Sequence, residues 1–197
     1  MGMNRTFKSA VAAFMLAVGF AGSTAAGPLE DGTAAYWDER DYATALRLLH
    51  PLAGKGDSEA QRTLGHMYRW GQGVPRDVAA SMSWYHKAAE QGNSEAQYNL
   101  GEIYSEGYGV PKDSAAGASW YRKAAEQGDR HARYDLGVMY EDGDGVPQDY
   151  ATAHMWLNLA AASGYRISAR ARDRLAAKMT PAQIAKAQKL AREWKLK

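Results

Sequence analysis

Cysteine is absent from this chain of 197 residues, and proline and phenylalanine are scarce, at six and three residues. Without cysteine, disulfide bonds, thiolate metal sites and a cysteine nucleophile are excluded, so the fold must be stabilised by packing. A composition with little proline and much alanine, glycine and tyrosine favours close-packed helices over sheets. The hydrophobic fraction of 46% is enough for a continuous core in one domain.

The usual sequence signatures of catalysis are also absent. The chain contains no Ser-x-x-Lys, Lys-Thr-Gly or Gly-x-Ser-x-Gly motif, so a serine nucleophile and the base that would activate it are both missing. Its five scattered histidines form no HxxxH or HExxH pair that would bind zinc. We therefore expect a protein that is not an enzyme and that needs no cofactor or metal.

Residues 1–26 differ from the rest of the chain. Arg5 and Lys8 precede an apolar run from Ala10 to Phe20, and small residues follow at 23–26. This order is typical of a secretory signal peptide, here cleaved after residue 25 or 26. The apolar run is shorter than the ~20 residues that a transmembrane helix requires, and an uncleaved membrane anchor is the alternative. We predict that the protein is located in the periplasm or secreted.

The charges are divided between two regions. Residues 27–165 carry 20 acidic and 12 basic residues, whereas residues 166–197 carry ten basic residues and two acidic ones. An acidic body thus precedes a basic C-terminal end. Two interpretations of this end stay open: peripheral contact with an anionic envelope surface, or a cap whose cations suit helix C-termini. Nucleic acid would fit the charge but not an exported protein.

A repeat of 36 residues organises most of the chain. The segments 58–93, 94–129 and 130–165 follow one another without a gap. The recurring positions include Leu64/Leu100/Leu136, Gly65/Gly101/Gly137, Tyr68/Tyr104/Tyr140, Gly71/Gly107/Gly143, Gly73/Gly109/Gly145, Pro75/Pro111/Pro147, Asp77/Asp113/Asp149 and Trp84/Trp120/Trp156. A period of this length is characteristic of helical solenoids.

Each repeat can be interpreted as a helix hairpin. Leu64 and Gly65 lie on one face of a first helix, and the glycine permits a neighbouring helix to approach closely. Gly71 is expected to end that helix in a left-handed conformation, and Asp77 to cap the second helix. In the second helix we expect a buried stripe that includes Trp84.

Less regular units flank the three full repeats. Residues 27–57 form a degenerate unit, so that the repeat array covers 27–165. Residues 166–197 predict a pair of basic capping helices, at about 167–178 and 181–195, the second with a capping box made by Thr180 and Gln183. Atypical terminal units are expected because end repeats must present one face to water.

The string Leu-Gly-x-x-Tyr-x-x-Gly-x-Gly-Val-Pro-x-Asp, followed by Trp-Tyr-x-Lys-Ala-Ala-Glu-Gln-Gly, resembles the Sel1-like repeat family, a relative of the tetratricopeptide repeats. The resemblance is close over residues 58–165 and loose over 29–57. It implies an all-α fold, a right-handed α/α solenoid of 36-residue helix-hairpin repeats, with a concave groove lined mainly by the first helices. It leaves the function open, because repeats of this kind bind many unrelated partners.

Candidate binding residues follow by analogy with tetratricopeptide grooves, in which partner-facing side chains flank the Leu-Gly pair. They are Arg62, His66, Arg69, Tyr98, Glu102, Tyr134 and Glu141. Tyrosine and arginine are frequent at binding hot spots. We expect Tyr98 and Tyr134 to form a platform beside Arg62, and the charge of the groove to change from basic at Arg69 to acidic at Glu141. A solvated face with chance aromatics is the alternative.

These observations favour a non-enzymatic scaffold or adaptor of the cell envelope that binds another protein or a peptide in its groove, without nucleic acid and as a monomer. Two alternatives stay open. One is an exported hydrolase or β-lactam-binding protein, as some exported members of the family are, although those are rich in cysteine. The other is a regulatory subunit of a secretion or polysaccharide-export complex, which differs from the adaptor only in what the partner does.

Overall fold

The computed structural model describes residues 27–194, and within that range the protein is all-α, with ten α-helices, one π-helical segment and no strand. The predicted signal peptide and residues 195–197 lie outside the described residues. The helices are α1 (Pro28–Ala34), α2 (Tyr42–Gly54), α3 (Ser58–Trp70), α4 (Val78–Glu90), α5 (Ser94–Glu106), α6 (Ser114–Glu126), α7 (Arg130–Asp142), α8 (Tyr150–Ala162), α9 (Arg166–Ala176) and α10 (Pro181–Trp194), and the π-helical segment is Ala35–Glu39. No helix in this range is both long and apolar enough to cross a bilayer.

The hairpins begin and end where the sequence predicts. The side chain of Asp77 accepts a hydrogen bond from the backbone N–H of Ala80 (2.9 Å) and so caps α4. Gly71 ends α3 with φ at +67°, a conformation that costs glycine little. Asp57 caps α3 in the same way, by accepting from Ala60 N–H at 2.8 Å. The sequence interpretation missed this second capping position.

The Leu-Gly pair is explained by what lies against it. A Cβ atom built on Gly65 would come within 2.5 Å of the Tyr85 ring, so only glycine lets α4 pack this closely on α3. The ring of Tyr85 is fully buried beneath that contact. The prediction that the neighbouring Trp84 belongs to the buried stripe is wrong: Trp84 and Trp120 are half-buried, and among the three repeats only Trp156 is fully buried at that position.

A ladder of side-chain hydrogen bonds sets the spacing between repeats. Gln61 donates to a backbone carbonyl of α2 (3.0 Å) and accepts from Gln91 (2.7 Å). The same two bonds recur one repeat later at Gln97. In the third repeat Arg133 replaces the glutamine, and it donates to an α6 carbonyl (3.0 Å) and to Ser163 (2.8 Å). These bonds join each first helix to the C-terminal ends of the second helices on either side of it.

The terminal units complete the stack. In the degenerate unit, α1 is the first helix and continues into the π-helical segment, which ends at Arg40 with φ at +57°. At the other end, Thr180 and Gln183 form the predicted capping box. The helix α9 takes the place of a fourth first helix, and Leu175 on α9 is fully buried in a cluster with Leu157 of α8. The core therefore continues through the C-terminal helices.

Candidate functional site

The first helices α3, α5 and α7 lie side by side, and we call the surface that they form, together with Trp37 and α9, the first-helix face. Polar contacts between α3 and α5 join residues 30 to 33 positions apart, such as the ion pair of Arg69 with Glu102. Side chains at equivalent positions therefore stack across the repeats, and clefts open between them. Three such clefts carry the site.

The first cleft has a volume of about 370 Å³ and contains five of the seven predicted binding residues. Its lining residues are Trp37, Arg62, His66, Arg69, Trp70, Glu95, Tyr98, Asn99, Glu102, Asp129 and His131. The two remaining predicted residues, Tyr134 and Glu141, do not line it. The structure thus brings together the part of the predicted set that lies on α3 and α5.

The two arginines of this cleft are buried and already paired. Arg62 is 5% exposed, and its Nη1 lies 2.9 Å from Glu95 Oε2. Arg69 is 6% exposed, with Nη1 at 2.8 Å from Glu102 Oε2 and at 3.1 Å from the Asn99 side-chain oxygen. Because each guanidinium is neutralised within the protein, neither gives the cleft the positive charge that the sequence predicted.

His66 packs between two aromatic rings at the centre of the cleft. Its ring centroid lies 5.1 Å from that of Trp37 and 5.7 Å from that of Tyr85. Burial, reinforced by the nearby charges of Arg62 and Arg69, lowers the pKa of His66 to about 4. The imidazole is therefore neutral at pH 7 and offers a partner a polar aromatic edge without a charge.

The two predicted groove tyrosines belong to one chain of rings but do not form a shared platform beside Arg62. Tyr98 packs on Tyr121 with ring centroids 5.5 Å apart, whereas Tyr134 packs on Tyr165 at 5.5 Å. His131 links the two pairs, at 5.9 Å from Tyr98 and 4.7 Å from Tyr165. The aromatic surface is therefore longer and less flat than predicted.

The prediction that the groove is acidic at Glu141 is wrong. The side chain of Glu141 is 7% exposed and lies 3.0 Å from Lys178 Nζ and 3.3 Å from Arg174 Nη2. Two cations from the C-terminal region thus neutralise it, since the basic end folds back onto the last repeat. Three carboxylates that have no ion pair among residues 27–194 line a third cleft between α5 and α7, namely Glu106, Asp135 and Asp142.

Sequence reasoning missed the exposed aromatic side chains of the site. Trp37, Trp70 and Tyr108 are 45%, 59% and 46% exposed, and Trp70 and Tyr108 line a second cleft of about 350 Å³ between α3 and α5. One signal was available: Trp70 stands where the next two repeats have Glu106 and Asp142. A large apolar side chain at a position where the other two repeats are acidic is not required by the repeat, and its exposure indicates an interaction surface.

Among residues 27–194 no group of three or more histidines and carboxylates is placed to hold a metal ion. Two carboxylates of the loop between α7 and α8 contact separate cations instead. Asp144 pairs with Lys112 at 3.1 Å, and Asp149 with Lys186 at 3.3 Å. The side chains of the first-helix face are suited to recognition of another molecule through aromatic and electrostatic contacts.

Comparison with known proteins identifies the repeats. The Sel1 repeat model matches residues 58–93, 94–129 and 130–165. A Sel1 repeat protein from Oxalobacter formigenes is similar in structure, with 34% sequence identity and a TM-score of 0.67, over 70% of this chain and 56% of that one. No functionally curated protein gives a significant match.

Two further solved structures are similar. A protective antigen of uropathogenic Escherichia coli strains with an SLR fold is 29% identical, with a TM-score of 0.51, over 85% of this chain and 45% of that one. A protein from Klebsiella pneumoniae described as a Sel1 repeat protein is 22% identical, with a TM-score of 0.51 and 76% of each chain covered. This chain spans about half the length of the Oxalobacter and Escherichia proteins.

Proposed function

The chain belongs to the Sel1 repeat family, and from that premise we propose that it is a non-enzymatic adaptor of the cell envelope that holds another protein or a peptide on its first-helix face. Sel1 repeats generally serve as protein–protein interaction modules. The proposal adds to this general role the surface that binds and the compartment in which it acts.

The observation that carries the proposal is the cluster of exposed aromatic rings on this face. Four large hydrophobic side chains are exposed among the described residues, and three of them, Trp37, Trp70 and Tyr108, line the first two clefts. Exposed apolar patches rimmed by polar groups mark interaction sites, and tryptophan, tyrosine and arginine dominate binding energies at such sites. The Arg69 guanidinium lies 5.0 Å from the Trp70 ring and 5.4 Å from the Tyr108 ring, which holds both rings in place.

The envelope location rests on sequence alone. Arg5 and Lys8, the apolar run that follows and the small residues before Gly27 together make the signal-peptide pattern. Fractionation of cells that express the full chain is the direct test. A protein recovered at its mature mass from the periplasm or the medium agrees with the proposal, whereas full-length protein in the cytoplasm contradicts it.

Neither alternative function gains support from residues 27–194. The hydrolase requires an activated nucleophile, and the described face contains paired arginines, a neutral histidine and aromatic rings instead. The regulatory subunit would use the same surface as the adaptor, so identification of the partner decides between those two.

The experiment that tests the proposal compares a Trp37→Ala/Trp70→Ala variant with the wild-type protein as bait for envelope extract. The matched control is Trp84→Ala, because Trp84 is half-buried on α4, beside His50 and Lys87 rather than in a first-helix cleft. Circular dichroism checks that all three proteins are folded, and mass spectrometry identifies what each retains. We expect a partner that the wild-type and control proteins both retain and the double variant loses; a partner that all three retain equally would show that another surface binds.

A further inference from the structure

The second cleft, between α3 and α5, combines apolar walls with one unbalanced charge. Its apolar lining consists of the side chains of Trp70, Val78, Ile103 and Tyr108. Its charged lining residues are Arg69, Arg76 and Glu102. Arg69 and Glu102 form an ion pair with each other at 2.8 Å, so Arg76 gives the wall of the cleft a net positive charge.

The guanidinium of Arg76 is held in place by the backbone. Its Nε donates to the carbonyl oxygen of Arg69 at 3.1 Å. The third repeat has the same bond, from the side-chain amide of Gln148 to the carbonyl oxygen of Glu141 at 2.8 Å. Because the bond uses only Nε, the two terminal nitrogens of Arg76 can still donate. No ion pair of Arg76 occurs among residues 27–194.

One repeat later the equivalent cation has a carboxylate partner. Lys112 stands at the position of Arg76, and its Nζ lies 3.1 Å from the Asp144 carboxylate of the third repeat. The second repeat has Tyr108 at the position of Asp144, so the carboxylate of this pair is replaced by a phenol ring in the second cleft. The same arrangement of loops therefore leaves a position for an anion next to Arg76.

The apolar part of the cleft is open to a ligand. Trp70 and Tyr108 are among the most exposed large hydrophobic side chains of residues 27–194, and Ile103 behind them is fully buried. A volume of about 350 Å³ is enough for a large apolar side chain. A group that fills this space covers both rings and excludes water beside Arg76, which strengthens an ion pair formed there.

We propose that the second cleft receives a large apolar side chain of the bound protein, and that an aspartate or glutamate of the same segment pairs with Arg76. The terminal nitrogens of a guanidinium match a carboxylate in shape and can donate to both of its oxygens. The bond to the Arg69 carbonyl orients the guanidinium in advance, so less side-chain freedom is lost on binding. The inference rests on the proposed function and specifies it: the partner segment is both apolar and acidic.

The first test is an NMR titration of the isotope-labelled full chain with the peptide acetyl-Phe-Gly-Glu-amide. Side chains two residues apart lie on the same side of an extended chain, so this peptide can present its ring and its carboxylate together. The matched probe is acetyl-Phe-Gly-Gln-amide, which has the same shape and no charge. We expect saturable shifts of the Trp70 indole signal with the glutamate peptide, and an affinity at least about tenfold lower for the glutamine peptide. Equal affinities, or no response to either peptide, would overturn the proposal.

Two substitutions of exposed residues test the role of the charge. Arg76→Gln removes the charge and can keep the backbone bond, since Gln148 makes that bond in the third repeat. We expect this variant to lose the preference for the glutamate peptide over the glutamine peptide. Lys112→Gln is the matched control and should keep the preference, because Asp144 already neutralises Lys112. A preference that survives in Arg76→Gln, or that both variants lose equally, would contradict the assignment of Arg76.

Failure of this inference is distinguishable from failure of the proposed function. Once a partner is identified by the comparison of the tryptophan variants, the same partner is tested against Arg76→Gln and Lys112→Gln. A partner that Trp37→Ala/Trp70→Ala loses and Arg76→Gln retains at full affinity leaves the first-helix face as the binding site and overturns the pairing with Arg76. A partner that Arg76→Gln binds at least about tenfold more weakly, and Lys112→Gln binds normally, supports both proposals.

Discussion

At the scale of single residues, the ionised side chain of Asp135 destabilises the folded protein. Its carboxyl is half-buried and hydrogen-bonded to Tyr98, lies near the charges of Glu102 and Glu106 on α5, and has no ion pair among residues 27–194. At the equivalent position the preceding repeat carries the uncharged Asn99, which accepts a hydrogen bond from Arg69 and donates one to the Glu95 carbonyl. A residue that costs stability and that the repeat does not require is the kind of residue that binding sites contain.

The stability of the protein should therefore depend on the charge of this one side chain. Because the folded state raises the pKa of Asp135 from 3.8 to about 7, the folded state binds the proton more tightly, and the stability that protonation contributes is present below about pH 4 and lost as the pH rises through 7. We expect Asp135→Asn to be more stable than the wild-type protein at pH 8, by at least about 1 kcal/mol, and the difference to vanish toward pH 4. Urea unfolding at both pH values measures it, and a constant difference would contradict the assigned shift.

At the scale of the secondary-structure elements, the loops between paired helices are the least tolerant segments. Gly109 follows α5 with φ at +74°, and a Cβ atom there would lie 2.9 Å from the Val78 side chain of the preceding repeat. The same loop position is thus constrained twice, by its own backbone and by the packing of one repeat on the next. The 36-residue recurrence of this glycine reflects both constraints.

Replacing Gly109 by alanine should accordingly lower the free energy of unfolding, by about 1–3 kcal/mol. Gly54 near the end of α2 supplies the control, since it has helical backbone and open space around it. Gly54→Ala should be neutral or stabilising by up to about 1 kcal/mol. Thermal unfolding of both variants makes the comparison, and equal melting temperatures would show that the loop is not strained by a side chain.

At the scale of the whole molecule, the basic C-terminal helices are part of the solenoid. Leu175 of α9 packs in one cluster with Leu157 of α8, and Trp194 of α10 lies 4.9 Å from the Trp156 ring. Lys178 and Arg174 neutralise Glu141 of the last repeat. The cap interpretation of residues 166–197 thus accounts for part of their charge, while other cations of α9, such as Arg170, stay exposed.

A test of this integration is the pair Leu175→Ala and Ile167→Ala, two substitutions in the same helix. Leu175 is fully buried and Ile167 is 53% exposed. We expect the first substitution to cost about 2–4 kcal/mol in one cooperative transition of the whole protein, and the second less than about 0.5 kcal/mol. A separate early transition of the C-terminal helices in Leu175→Ala, with the repeats unaffected, would mean that the cap is an independent unit.

The sequence by itself determined the repeat, the helix pairs and their connections. Positions such as Gly65, Gly71 and Asp77 recur because every hairpin needs the same close approach, the same left-handed turn and the same cap. Because every unit has the same requirements, the residues that meet them recur every 36 positions. This recurrence can be recognised in the sequence without a structure.

Only the tertiary structure decided which charges and rings are available to a partner. Arg69 and Glu141 differ between repeats, so the period says nothing about them, and their partners lie 33 to 37 residues away, on the adjacent first helix or just after α9. Stacking of the helices neutralises both side chains, exposes Trp70, and leaves Asp135 without an ion pair within the described range 27–194. Such pairings depend on the distance and rotation between neighbouring repeats, which are set by packing of the core and are not encoded in the spacing of any single motif.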